Sequence, residues 1–193
     1  LDVFDSINEI DRIILVIPRG WKKYCQKEII ERYGYRKDVE VANGGARRQD
    51  SVACGLGLVP SDYEIVIIHD GVRPFVTRRM VVESIAKARK FGACIVAVPV
   101  SDTVKMVMSK GIIDKTLPRE SLWRVQTPQT FRLGLIKKAY AKALKDKFYG
   151  TDDAQLVERM NKPVKVMSGD YRNIKITTKE DLVLAESILS KKL

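Results

Sequence analysis

Short, strongly apolar segments alternate along this chain with amphipathic segments, and that alternation leaves few architectures open. Residues 12–17, 65–68 and 94–98 read Arg-Ile-Ile-Leu-Val-Ile, Ile-Val-Ile-Ile and Cys-Ile-Val-Ala-Val. They are strand-sized and apolar on both faces, so each needs cover on two sides. Between them, residues 21–33, 49–58 and 78–91 have helical spacing, with Val81, Ile85 and Ala88 on one face of the last. Buried strands linked by such helices are the mark of βαβ units and predict an α/β fold with a mainly parallel sheet covered by helices. A further short strand is expected over 39–41, and a helix over 1–10 from Val3, Phe4, Ile7 and Ile10. No run approaches the roughly 18 apolar residues of a membrane span.

The rhythm changes at Asp102. Residues 105–108 and 112–117 flank the turn Ser109-Lys110-Gly111 and read as a β-hairpin inserted in the α/β pattern. Residues 102–127 are therefore expected to form a protruding β-hairpin arm that packs on a second copy of the chain. Helices follow over 133–144, 152–160 and 178–189, with strands over 164–167 and 173–176; Thr177 and Glu180 have the spacing of a capping box. With 193 residues, 45% of them hydrophobic, and no repeat or linker, residues 1–193 read as one domain. The chain starts inside a unit rather than at a methionine, and a preceding segment is expected.

Rare residues narrow the chemistry. One histidine, His69, excludes a zinc site built from several histidines, and any His-activated nucleophile would have to use it. Cys25, Cys54 and Cys94 are odd in number and widely spaced, which fits neither a disulfide framework nor a metal ribbon and points to a reducing, cytoplasmic setting. A net charge of +11 calls for anionic partners without choosing among them.

Ligands of open α/β sheets sit beyond the carboxyl ends of the strands, so polar residues just after buried strands carry most weight. His69-Asp70-Gly71-Val72-Arg73 follows one such strand. There a carboxylate could hold a hard cation beside an arginine-bound phosphate, or Asp70 could simply cap a turn and pair with Arg73. Gly44-Gly45 leads into a helix near Arg48 and Ser51, either a backbone approach for an anion or a plain turn and cap; it matches neither the P-loop nor GxGxxG. Lys175 on the segment 173–177 reads, taken singly, as a solvated surface lysine. Pro128 forces extended geometry at Thr127 and would fix its hydroxyl, while Thr151-Asp152-Asp153 reads as a helix cap with acids in the first turn.

Taken in order, GGARRQDSV (44–52), HDGVRPF (69–75), PVSDTVK (99–105), LPRESLWRVQTPQTF (117–131), TDDAQLVE (151–158) and NIKITTKEDL (173–182) resemble the 2-C-methyl-D-erythritol 4-phosphate cytidylyltransferases. This family couples a sugar-alcohol phosphate to CTP in non-mevalonate isoprenoid synthesis. The resemblance implies a Rossmann-like nucleotidyltransferase sheet and a homodimer built through the arm. It also implies that Gly45, Arg48, Ser51 and Gly71 hold the nucleotide and that Asp70 binds Mg²⁺. Arg73, Thr103, Thr127 and Thr151 would hold methylerythritol phosphate, with Arg119 reaching it from the other subunit. Lys175 would touch both phosphates; Lys175, Arg119 and Asp70 carry the catalytic expectation. The family's glycine-rich loop with its Arg and Lys has no counterpart after Leu1, and Ala46 replaces an acidic residue common in relatives.

Such chemistry needs no general base, because a phosphate monoester with a second pKa of about 6 is largely dianionic at pH 7. Three alternatives compete. Ribitol-5-phosphate cytidylyltransferase shares the nucleotide half, but LPRESLWRVQTPQ and TDDA look more like the methylerythritol enzyme. A basic nucleic-acid-binding module would interleave its cations with aromatics on one face, which this sequence does not do. A non-catalytic relative would keep only dimerisation.

Overall fold

The computed structural model describes residues 1–190. Its organising strand is β4 (Ala93–Pro99), buried from Ala93 to Val98. It lies inside a four-stranded sheet, between β7 (Trp123–Arg132) and β8 (Lys165–Ser168), with β3 (Ile65–Ile68) beyond β7. Strand β7 is antiparallel to β3 and to β4, whereas β4 and β8 are parallel. Three of the four strands thus run one way and β7 alone is reversed. Strands β1 (Arg12–Ile17) and β2 (Asp38–Asn43) form a separate parallel pair. A groove of about 830 Å³ lies between β1 and β3, lined by both strands and by Val52 and Leu56.

Helices cover both faces because alternate strand residues point to opposite sides. On one face α1 (Asp2–Asp5) and α4 (Arg78–Phe91) pack Ile7, Met80, Val81, Ile85 and Ala88 on Cys94, Val96 and Met167. On the other, α5 (Leu133–Lys145) and α6 (Asp153–Glu158) pack Ile136, Tyr140, Leu156 and Val157 on Phe131 and Ile68. Helix α4 starts where expected: Thr77 accepts from the Met80 amide as its cap. The segment 21–33 is helical as read, with α2 (Lys22–Cys25) widening into a π-helical turn (Gln26–Glu31). Helices α3 (Arg48–Gly57) and α7 (Lys179–Ser190) complete the set.

Several expectations change. Strand β7 has no apolar alternation, because Gln126, Thr127, Gln129 and Thr130 are all buried in it. Each finds a polar partner; Thr130, for example, meets the Ser84 hydroxyl at 2.7 Å. Burial without a lost hydrogen bond lets a polar sequence run through the middle of a sheet. The hairpin strands β5 (Lys105–Val107) and β6 (Ile113–Thr116) form as read and are exposed throughout, but residues 123–127 of the expected arm belong to β7. Residues 173–176 form no strand, since Ile174 turns back on the Arg172 carbonyl and Ile176 on that of Val72. The cap of α7 sits one residue later than expected: Asp181 accepts from the amides of Thr177 and Thr178, and Thr178 accepts from that of Asp181.

Candidate active site

Three connections meet beyond the carboxyl ends of β2, β3 and β8. After β3, His69 to Arg73 form a tight turn closed by the Arg73 amide on the Asp70 carbonyl at 2.9 Å. The reading of Asp70 as a turn residue that pairs with Arg73 is realised, and its carboxylate also faces Arg48 and Lys175. Arg48, from the first turn of α3, reaches Asp70 Oδ1 at 2.9 Å. Lys175 Nζ stands 3.3 Å from Asp70 Oδ2, and Arg73 Nε 3.9 Å from the same oxygen. Burial alone would raise the Asp70 carboxyl; Arg48 and then Lys175 outweigh it and hold the group below its ordinary range. Lys175 is thus tied into the cluster while still exposed to solvent.

Arg48 is itself held from behind. Its second arm donates to Asp153 Oδ2 at 2.8 Å, and Tyr140 donates to Asp153 Oδ1 at 2.5 Å. Burial opposes the Arg48 charge, yet Asp153 and Asp70 raise its affinity for the proton above the usual value. Asp153 is 1% exposed and bridges the core to the cluster. Nothing in Asp152-Asp153 distinguishes that role from a helix cap, which Asp152 indeed fills by accepting from the Gln155 amide.

The Gly44-Gly45 turn lies at the end of β2. The Gly45 amide donates to Ser51 Oγ at 3.1 Å, and a Cβ on Gly45 would stand 2.3 Å from that of Asp50. Only glycine fits there, which brings the backbone close to the start of α3. Gly71, by contrast, has no neighbour that excludes a side chain. Gln49 ties this helix to the loop before α6, donating to the Phe148 carbonyl and accepting from the Gly150 amide. Thr151 thus lies exposed at the same rim, its amide bonded to Gln155.

The remaining residues are placed less directly. Thr127 was expected to present its hydroxyl to a substrate, but it is 4% exposed and lies 3.0 Å from His69 Nδ1 while accepting from the Asp70 amide at 3.1 Å. It is turned inward and acts on the site through Asp70. Thr103 and Arg119 lie outside the Asp70 cluster, at the base of the hairpin, where Arg119 donates to the Ser101 carbonyl at 2.9 Å. Asn173, fully buried, donates to the Thr127 carbonyl at 2.9 Å, and its own carbonyl accepts from Arg73 at 2.8 Å. It anchors the segment that carries Lys175. Sequence reasoning missed Asp153, Tyr140 and Asn173, whose roles come from contacts made across long stretches of chain.

Among the described residues, no three His, Cys, Asp or Glu side chains converge as a metal cage, and no helix is long and apolar enough to cross a membrane. The three cysteines are unpaired with one another. A single carboxylate among three basic arms is suited to binding phosphates together with a cation they bring, rather than to holding a metal alone.

The family model for 2-C-methyl-D-erythritol 4-phosphate cytidylyltransferase (IspD) matches residues 1–191. A protein of that name from Geobacter metallireducens is 46% identical over 100% of this chain and 84% of its own length. One from Alkaliphilus metalliredigens is 47% identical, over 100% and 80%. Among solved structures, 4-diphosphocytidyl-2C-methyl-D-erythritol synthase of Anaerococcus prevotii superposes with a TM-score of 0.92 at 37% identity, covering 98% of this chain and 83% of that one. The Thermus thermophilus cytidylyltransferase gives 0.81 at 31%, over 97% and 86%. The six motifs, the cation cluster about Asp70 and these matches converge: the chain belongs to the 2-C-methyl-D-erythritol 4-phosphate cytidylyltransferase family.

Proposed function

We infer that this chain transfers CMP from CTP to 2-C-methyl-D-erythritol 4-phosphate, forming 4-diphosphocytidyl-2-C-methyl-D-erythritol and releasing pyrophosphate. Beyond family membership, the observation that carries this reading is the gathering of Arg48, Arg73 and Lys175 around Asp70. An oxygen of the phosphate monoester attacks the α-phosphorus of CTP in line, and the bond from that phosphorus to the oxygen bridging to the β-phosphate breaks. No proton need be removed from the nucleophile, so the protein's work is to orient two anions and offset their repulsion.

Lys175 and Arg73 supply positive charge where the two phosphates meet, and Gly45 and Ser51 present backbone and hydroxyl groups to the nucleoside. Asp70 Oδ1 is taken by Arg48, whereas Oδ2, with cations at 3.3 and 3.9 Å, keeps a lone pair to spare. That oxygen suits Mg²⁺, which commonly binds through one or two carboxylates plus substrate phosphates. When bound, the ion neutralises phosphate charge and polarises the reacting group.

The hairpin carries exposed Met106, Val107, Met108, Ile112 and Ile113, an apolar surface suited to a second copy. In the homodimer that this surface supports, Arg119 serves the partner's substrate, while Thr103 at the base of the hairpin contacts methylerythritol phosphate. Charged phosphorylated substrates fit a cytoplasmic enzyme. Purified protein with CTP, Mg²⁺ and either alcohol phosphate tests the reading: pyrophosphate release with methylerythritol phosphate is expected. A preference for ribitol 5-phosphate would overturn it.

A further inference from the structure

We propose that His69 is a positioning residue of the transfer reaction: its imidazole, as the Nε2–H tautomer, staples the loop carrying Asp70 and Arg73 to β7 without touching either substrate. The kinetic part of this proposal rests on the cytidylyl-transfer reading, and the tautomer rests on geometry alone. His69 Nε2 lies 3.0 Å from the Arg73 carbonyl oxygen. A carbonyl only accepts, so Nε2 carries the hydrogen. In the neutral ring Nδ1 is then the acceptor, and at 3.0 Å from Thr127 Oγ1 it accepts a hydrogen bond from the threonine hydroxyl. With its proton committed there, the Thr127 oxygen offers a lone pair to the Asp70 amide, which donates to it at 3.1 Å. One backbone carbonyl therefore sets the direction of every hydrogen bond in the chain Arg73, His69, Thr127, Asp70.

The consequence reaches the reacting groups. The ring pins both ends of the turn, Asp70 through Thr127 and Arg73 through its carbonyl, while the Phe4 ring covers it at 5.1 Å. Between those ends, the Val72 carbonyl accepts from the Ile176 amide at 2.8 Å, and the Arg73 guanidinium donates to the Asn173 carbonyl at 2.8 Å. Lys175 lies between these two attachments. Releasing the staple would shift Asp70, Arg73 and Lys175 relative to one another, and misplacement by about 1 Å can cost about 10²-fold in rate.

His69 is the only histidine in the chain, so ¹⁵N-imidazole labelling yields one pair of ring resonances. At pH 7 the unmutated protein should show Nε2 protonated and Nδ1 unprotonated; the opposite tautomer, or an equal mixture, overturns the proposal. Two replacements separate positioning from space filling. Phe fills the site beside Phe4 but makes no hydrogen bond, whereas Gln can still donate to the Arg73 carbonyl. His69→Phe should lower kcat about 10- to 100-fold with KM for CTP within about threefold, and His69→Gln should retain more of kcat than His69→Phe. A His69→Phe enzyme with kcat within twofold of wild type, or one better than His69→Gln, would sink the idea. If His69→Phe does not fold, the tautomer and the kcat of His69→Gln, which must fall below wild type, still decide. An unmutated protein that fails to turn over CTP with methylerythritol phosphate refutes the functional reading instead, and the tautomer then decides the staple by itself.

Discussion

Arg48 and Asp70, separated by 22 positions in sequence, meet at 2.9 Å, and Arg48 is held there by a second carboxylate at 2.8 Å, that of Asp153. The pair orders the site from the core outward. Arg48→Met should remove the cation that faces Asp153 and leave that buried carboxylate with Tyr140 alone, costing about 3 kcal/mol. Adding Asp153→Asn should recover part of the loss. Urea unfolding of the single and double variants measures this; equal stability of the two would contradict the coupling.

Lys175→Ala and Arg119→Ala should each lower kcat/KM by about 10² to 10³, by analogy with removal of one charged donor to a developing transition state. Neither side chain lies in the core, since Lys175 is 42% exposed and Arg119 is exposed on the hairpin base. Thermal midpoints should therefore stay near that of the parent. Wild-type turnover in either variant would remove that residue from the reaction.

The hairpin prediction concerns assembly. Val107 and Ile113, which face each other across β5 and β6, are 54% and 57% exposed. Val107→Asp with Ile113→Asp should convert the proposed homodimer to monomer in sedimentation velocity, because the two charges would have to be desolvated where the hairpin meets a second copy. Activity should fall with the dimer, as Arg119 would no longer be delivered to a partner. A monomer with full activity would separate Arg119 from catalysis.

Gly45→Ala would place a methyl carbon 2.3 Å from the Asp50 Cβ, so the turn must move. KM for CTP should rise about tenfold or more, while kcat changes less, if the turn serves nucleotide recognition, as proposed, rather than the reacting phosphates. Initial rates at saturating methylerythritol phosphate report both constants.

Chelation should abolish turnover without unfolding the protein. In the proposed mechanism Mg²⁺ is held by the single carboxylate of Asp70 together with substrate phosphates, so its removal should cost little of the resting fold. EDTA should leave the circular-dichroism melting curve unchanged, and restored Mg²⁺ should restore pyrophosphate release.

What the sequence by itself determined is local. The β-branched runs specified β1, β3 and β4, helical spacing placed α4 and α5, and Ser109-Lys110-Gly111 marked the hairpin turn, because each depends on residues within one element. The motif order also carried the family. Tertiary structure decided the rest. Strand β7 became a central strand because distant groups satisfy its buried side chains: segments 150–154 and 169–173 hold Gln129 and Gln126, His69 and the Asp70 amide hold Thr127, and Ser84 holds Thr130; Gln129 alone bonds Asp152 and the amides of Asp153 and Ala154. Thr127 turned inward because His69, 58 positions away, shares a hydrogen bond with its hydroxyl, and Asp153 became the anchor of Arg48 across 105 positions. No local pattern encodes such pairings: a buried polar residue is tolerated only when a distant partner arrives, and that arrival is a property of the whole packed chain.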